Sequence, residues 1–203
     1  MKKLIIATSN KNKKHEIKNI LKGMNIKVVL PEDIGEELPM VLENGSTFRQ
    51  NAIKKSVTIS GFFSALVLAD DSGLEVNHLD GKPGVRSARF ARAKATDEEN
   101  NTKLLTLMKN VPAQKRGASF VCSMALSDNG FLIKAVEGRC AGKLEFEKKG
   151  DNGFGYDPLF RPVGSTKTFA EMTPASKNKI SHRAKALQKM KEVLEAYMKE
   201  GKE

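Results

Sequence analysis

The sequence predicts an α/β protein in which a mixed β-sheet is flanked by helices. Three observations carry that prediction. Residues 3–7 and 65–69 are apolar runs without alternation, the pattern of strands buried on both faces inside a parallel or mixed sheet. Between such runs lie segments of helical period that start at capping residues and stop at glycine. Asn129 and Gly130 separate two further strand-like runs, and Asn-Gly supplies the positive φ of a tight hairpin, so an antiparallel pair joins the sheet.

In chain order, residues 3–7 form the first strand. A helix over about 11–22 follows, with Ile17, Ile20, Leu21 and Met24 as its apolar stripe and Gly23 as its stop. Residues 26–30 return as a second strand. Thr47 and Gln50 make a capping box for a helix reaching about Ser60, ended by Gly61. The strand at 65–69 is expected to end at Asp70 and Asp71. Thr96 and Glu99 repeat the capping box ahead of Leu104, Leu105, Leu107 and Met108, which predicts a helix over 97–110. Strands at 119–126 and 131–136 flank the Asn-Gly turn. A last amphipathic helix runs from about 179 to 199, with Ile180, Leu187, Val193, Leu194 and Tyr197 inward and lysines outward.

With 203 residues, no repeat and no linker-like break, residues 1–203 are expected to form one domain. Cys122 and Cys140 lie in strand-like segments without metal-ligand spacing, which suits buried thiols in a reducing compartment. The start MKKLIIATSN has only a short apolar patch, so neither a secretion signal nor a membrane span is expected, and the protein is placed in the cytoplasm. A formal net charge of +11 implies a polyanionic partner. Nucleic acid calls for a broad basic stripe, whereas a nucleoside triphosphate calls for several cations converging on one pocket; charge alone leaves both open.

Four segments carry candidate chemistry. Asp70 and Asp71, followed by Ser72 and Gly73, suit a hard cation such as Mg²⁺ at a strand end, and equally suit a capped strand exit. Thr8, Ser9, Asn10, Lys11, Asn12 and Lys13 bring hydroxyl, amide and ammonium groups to a helix start, where unpaired N–H groups and the helix dipole attract anions; simple N-capping by Ser9 or Asn10 is the alternative. In the loop 150–160, glycines surround Phe154 and Tyr156, so backbone can approach a ligand while a ring offers a stacking face, or Phe154 can tuck into the core. Lys177, His182 and Arg183 gather donors near the start of the last helix. Glu43 gains meaning only if the fold brings it beside Asp71.

Taken together, TSNKNK, ENGSTFRQNA, LADDSGLEV, GVRSARF, GFGYDPLF and ISHRAKAL occur in the order and approximate spacing of the inosine triphosphate pyrophosphatase family, which the chain resembles from residue 4 to about 190. The resemblance implies an elongated central sheet, two lobes with the active-site cleft between them, and a homodimer. It implies Mg²⁺-dependent hydrolysis of deaminated purine triphosphates (ITP, dITP, XTP, dXTP) to the monophosphate and pyrophosphate. By the same resemblance, Thr8, Asn10 and Lys13 hold the triphosphate, with Ser9, Lys11 and Asn12 lining the loop. Glu43 and Asp71 hold the metal, and Asp71 also accepts the proton. Ser72, Phe154, Gly155, Tyr156, Asp157, Lys177, His182 and Arg183 contact the nucleotide. A pyrophosphatase for other modified nucleotides would share this machinery. A basic nucleic-acid-binding module lacks its expected signs, since there is no helix-turn-helix pattern, zinc spacing or RNA-binding aromatic motif. Two stretches depart from the family pattern: the basic run Ala91, Arg92, Ala93, Lys94, and the charged run at 145–149.

Overall fold

The computed structural model describes residues 2–8 and 10–200. Six strands form one sheet in the order β2-β1-β3-β4-β5-β6, where β1 is Lys2–Ala7, β2 Ile26–Val29, β3 Leu66–Val76, β4 Gly117–Asp128, β5 Phe131–Leu144 and β6 Phe160–Pro162. β1 pairs in parallel with β2 and with β3, placing Ile5 opposite Val29 and Val67, while β5 and β6 are antiparallel, so the sheet is mixed as predicted. Among the described residues, five α-helices accompany it: α1 Lys11–Leu21, α2 Phe48–Phe63, α3 Asp97–Leu107, α4 Pro174–Ile180 and α5 His182–Glu200. None is long and apolar enough to cross a membrane.

The chain divides into two compact units. The first comprises residues up to Asp71, Cys122–Gly138 and residues from Arg183 onward. Its core follows from strand alternation, which sends successive side chains to opposite faces. Leu4, Ile6, Leu66, Leu68, Cys122, Met124 and Leu126 meet Ile17 and Leu21 of α1 and Leu187, Met190 and Leu194 of α5. The odd-numbered neighbours Ile5, Ala7, Val67 and Ala69 meet Ile59 of α2 instead. Further along α2, Ala52 packs on Ala125 and Ala135, small residues that let the helix lie close to the strands.

The second unit comprises Ser72–Val121 and Arg139–His182. Its core joins Leu74 and Val76 of β3 to Leu104 and Met108 of α3, with Phe120, Tyr156, Leu159, Phe160 and Phe169. Phe120 meets Phe160 edge to face at 4.8 Å. Arg116 is buried, and its side-chain hydrogen bonds go to backbone. It donates to the carbonyls of Met108 (2.7 Å), Val111 (3.4 Å), Leu144 (2.9 Å) and Glu145 (2.7 Å), which stitches the exit of α3 to the end of β5.

Several elements differ from the sequence expectation. α2 passes through Gly61 and ends at Ser64, which adopts the left-handed conformation. Gly61 serves a close approach instead of a stop: a Cβ there would lie 3.4 Å from the Gly130 Cα, in the Asn-Gly turn whose N–H donates to Ser60 Oγ. Asp70 and Asp71 do not end a strand but sit within β3, which continues because Leu74 and Val76 feed the second core. Gly73 permits the continuation, since a Cβ on it would fall 2.1 Å from Ser87 Oγ, the acceptor for the Leu74 N–H. The final helix begins at His182, slightly later than expected, because Ser181 is extended (φ −65°, ψ 156°), and a separate α4 capped by Thr173 precedes it. α3 ends at Leu107, earlier than expected.

Candidate active site

β3 delivers Asp70 and Asp71 to opposite faces, and the two meet different company. Asp70, 1% exposed, follows Leu66 and Leu68 toward α1 and α5. Its Oδ2 lies 2.9 Å from Lys13 Nζ and 3.5 Å from an Arg183 guanidinium nitrogen, and Arg183 also pairs with Glu16. Burial opposes ionisation of Asp70, but the charges of Lys13, Arg183 and Lys55 outweigh it and hold the carboxyl far below the usual carboxylate range.

Asp71, 8% exposed, follows Val67 and Ala69 toward α2. Asn51 Nδ2 donates to its Oδ2 at 2.8 Å. Burial raises its pKa; the Asn51 bond and Lys13 work against that, and the charge of Glu43 adds to it. Glu43 itself pairs with Lys55 at 2.6 Å, and Lys55 also donates to the Asp70 carbonyl at 3.1 Å. The loop carrying Glu43 is fixed from the same helix, for Asn51 Oδ1 accepts from the Gly45 N–H at 2.7 Å.

The structure thus brings Lys13, Glu43, Asp71 and Arg183 into one unit, and adds Asn51, Lys55 and Glu16, which sequence reasoning did not assign. Asn51 and Lys55 stand four residues apart on one face of α2, a spacing that could have flagged them once Glu43 was suspected.

At the start of α1, the nearly buried Thr8 accepts from the Asn10 N–H, and Asn10 Oδ1 accepts from the Lys13 N–H at 3.1 Å, so Asn10 is the N-cap. Lys11 and Asn12 are exposed on the first turn. That turn holds no acidic residue, and Lys11, Lys13 and Lys14 crowd the positive end of the helix dipole, an arrangement that an anion would relieve. Ser9 lies outside the described residues.

The remaining candidates lie in the second unit. Asp157 Oδ2 accepts from Lys177 Nζ at 2.7 Å and from the Phe154 N–H at 2.9 Å. Lys177 Nζ stands 4.8 Å from the centroid of the half-buried Phe154 ring. Gly153 (φ +80°) leaves room for that carboxylate, since a Cβ there would lie 2.1 Å from Asp157 Oδ2. Tyr156 is different: its ring belongs to the core and its hydroxyl donates to the Ser87 carbonyl at 2.9 Å, so Phe154 is the ring this loop leaves toward solvent. His182 stacks on Phe120, centroids 4.7 Å apart and rings 9° from parallel. Ser72 opens this unit's part of β3 and is half-buried. Lys177, His182 and Arg183 each have a partner: Asp157, the Phe120 ring and Glu16 respectively.

Among the described residues, no three His, Cys, Asp or Glu side chains are grouped to hold a metal. Glu43 and Asp71 fit Mg²⁺ in the narrower sense that this ion needs: hard oxygen donors, two carboxylates whose mutual repulsion a cation would offset, and positions left for phosphate and water.

Residues 4–193 match the Ham1 family. The chain is similar to the dITP/XTP pyrophosphatase of Desulforamulus reducens, 47% identical over 194 residues that cover 95% of each chain. It is also similar to the dITP/XTP pyrophosphatase of Oceanobacillus iheyensis, 42% identical over 96% of this chain and 98% of that one. Among solved structures, the Ham1 protein of Staphylococcus aureus superposes with a TM-score of 0.85 at 38% identity, covering 97% of this chain and 100% of its own.

Proposed function

The chain belongs to the Ham1 family, and from that premise we propose that it is a nucleoside triphosphate pyrophosphatase that hydrolyses deaminated purine triphosphates to the monophosphate and pyrophosphate, using Mg²⁺. The observation that carries the site assignment is Asp71: a carboxylate of raised proton affinity, oriented by Asn51 and set beside Glu43 and Lys55. Asp71 orients a water and takes its proton as the water oxygen bonds to the α-phosphorus and the bridging bond to pyrophosphate breaks. Lys13 and the first turn of α1 bind the phosphate oxygens, and Lys55 adds charge beside them. Glu43 and Asp71 would hold the metal, which supplies Lewis-acid neutralisation of phosphate charge when bound.

Base selection we assign to the second unit. Hypoxanthine and xanthine accept hydrogen bonds at the 6-oxo group where adenine donates, so Lys177 and His182 favour the former, and Phe154 offers its ring. The proposal takes residues 1–203 as one catalytic domain, since the chain passes between the units within β3, β4 and β5. A homodimer in the cytoplasm completes it; Cys122 and Cys140 are both buried in strands, a placement that suits a reducing compartment.

The deciding experiment is hydrolysis of ITP, XTP, ATP and GTP with and without Mg²⁺, with pyrophosphate and orthophosphate both measured. Pyrophosphate from ITP and XTP, abolished by a chelator, is expected. Orthophosphate as the product, or ATP used as readily as ITP, would overturn the assignment; undiminished activity in chelator would remove the metal. Light scattering on the eluted protein tests the dimer.

A further inference from the structure

We propose that Asp97 and Asn101, on the first two turns of α3, are positioning residues that set nucleobase affinity by clamping the two peptide groups on either side of the Gly155 Cα. The inference rests on the assignment of Phe154 and Asp157 to the base. The Gly155 N–H donates to Asp97 Oδ2 at 2.7 Å, and Asn101 Nδ2 donates to the Gly155 carbonyl at 2.9 Å. The two peptide groups that flank the Gly155 Cα are therefore held by side chains of one helix, the first through its N–H and the second through its carbonyl.

Ahead of Gly155 the loop is held by the Asn152 N–H on the Ala170 carbonyl and the Phe154 N–H on Asp157. Gly150, Gly153 and Gly155 all have positive φ, and glycine loses the most conformational freedom on ordering. Beside the loop lies a cavity of about 450 Å³ lined by Asp97, Asn101, Gly153, Phe154 and Gly155 among others, so packing from that side does not hold it. The clamp is what spans this gap. Gly155 sits between Phe154, the solvent-facing ring, and Tyr156, whose ring is anchored in the core. Fixing these two peptide groups between an anchored ring and a half-buried one fixes the direction of the latter. The same geometry keeps the Phe154 N–H on Asp157, the acceptor of Lys177.

The clamp is itself rooted. Thr96 and Glu99 form the capping box of α3, Arg92 pairs with Glu99, and Leu104 and Met108 tie the helix to the core. Asn101 is 3% exposed, whereas Asp97 lies on the surface and can be changed with little risk to folding.

The test compares Asp97→Ala, Asp97→Asn and Asn101→Asp with the parent enzyme. Losing one hydrogen bond to the loop is expected to raise KM for ITP by about threefold to tenfold with kcat within about twofold. The inhibition constant of inorganic tripolyphosphate, which has no base, should stay unchanged. Asp97→Asn retains an acceptor oxygen and should recover most of the affinity that Asp97→Ala loses; Asn101→Asp keeps the size and removes the donor. Parent-like KM in Asp97→Ala overturns the proposal whatever Asn101→Asp does, and so does a parallel loss of tripolyphosphate binding. A parent enzyme that releases no pyrophosphate from ITP would instead overturn the functional assignment, so the two failures are distinguishable.

Discussion

Replacing Asp71 by Asn removes the proton acceptor while leaving an oxygen for Asn51 to bond, so turnover is expected to fall by about 10² to 10⁴ with folding intact. Its stability should be unchanged or slightly higher, because the buried charge that resists desolvation is gone. Asp70→Asn is expected to behave in the opposite way. It leaves the buried Arg183, 1% exposed, and Lys13 without their shared carboxylate, and breaking such a pair costs about 3–5 kcal/mol, measurable by urea unfolding. Sequence alone treats these aspartates as a pair. What tells them apart is the face each occupies, and that depends on α1, α2 and α5 packing on β3, contacts between residues far apart in the chain. Lys55 escaped notice for the same reason: its partners Glu43 and Asp70 come from either side of it in sequence.

At the scale of elements, signals that are local in sequence were the legible ones. Both capping boxes form as expected, with Thr47 on Gln50 and Thr96 on Glu99, and Asn129 and Gly130 adopt the positive φ values of the tight hairpin. The extents were harder to see. β5 runs to Leu144, well past the predicted 136, because pairing with neighbouring strands, not composition, decides how long a strand continues, whereas β4 ends at Asp128, close to the expected 126. The cap of α3 also carries a pH prediction. The bond from Arg92, and then the Thr96 N–H, hold the Glu99 carboxyl down to about 2, against an ordinary value of 4.5. A depressed carboxylate stabilises fully above its unfolded value, and that contribution fades as pH falls from 4.5 through about 2. Glu99→Gln keeps the capping geometry without the charge, so its unfolding free energy should fall less steeply over that window; an equal slope in both proteins would refute the role of Glu99.

For the molecule as a whole, fold class was legible and the resemblance implied two lobes, whereas periodicity did not show where the second core begins, because Leu74 and Val76 look like any continuation of a loop until α3 and the aromatic cluster are in place. Arg116 is the clearest test of the second core. Arg116→Met takes the Arg116 donor from the Leu144 and Glu145 carbonyls, while the Met108 carbonyl keeps the Val111 N–H, and at about 1–3 kcal/mol for each stranded group the loss should be about 2 kcal/mol or more. Hydrogen exchange is expected to quicken most in the second unit. β3, finally, constrains how relatives of this chain can diverge. Adding or deleting a single residue ahead of Asp70 would exchange the two carboxylates between faces, delivering the salt-bridge anchor to the reaction centre and the proton acceptor to the interior. Length variation in descendants of this gene should therefore collect in surface connections such as 32–42 and be purged from 66–76, a pattern that a deep insertion-and-deletion scan can read directly.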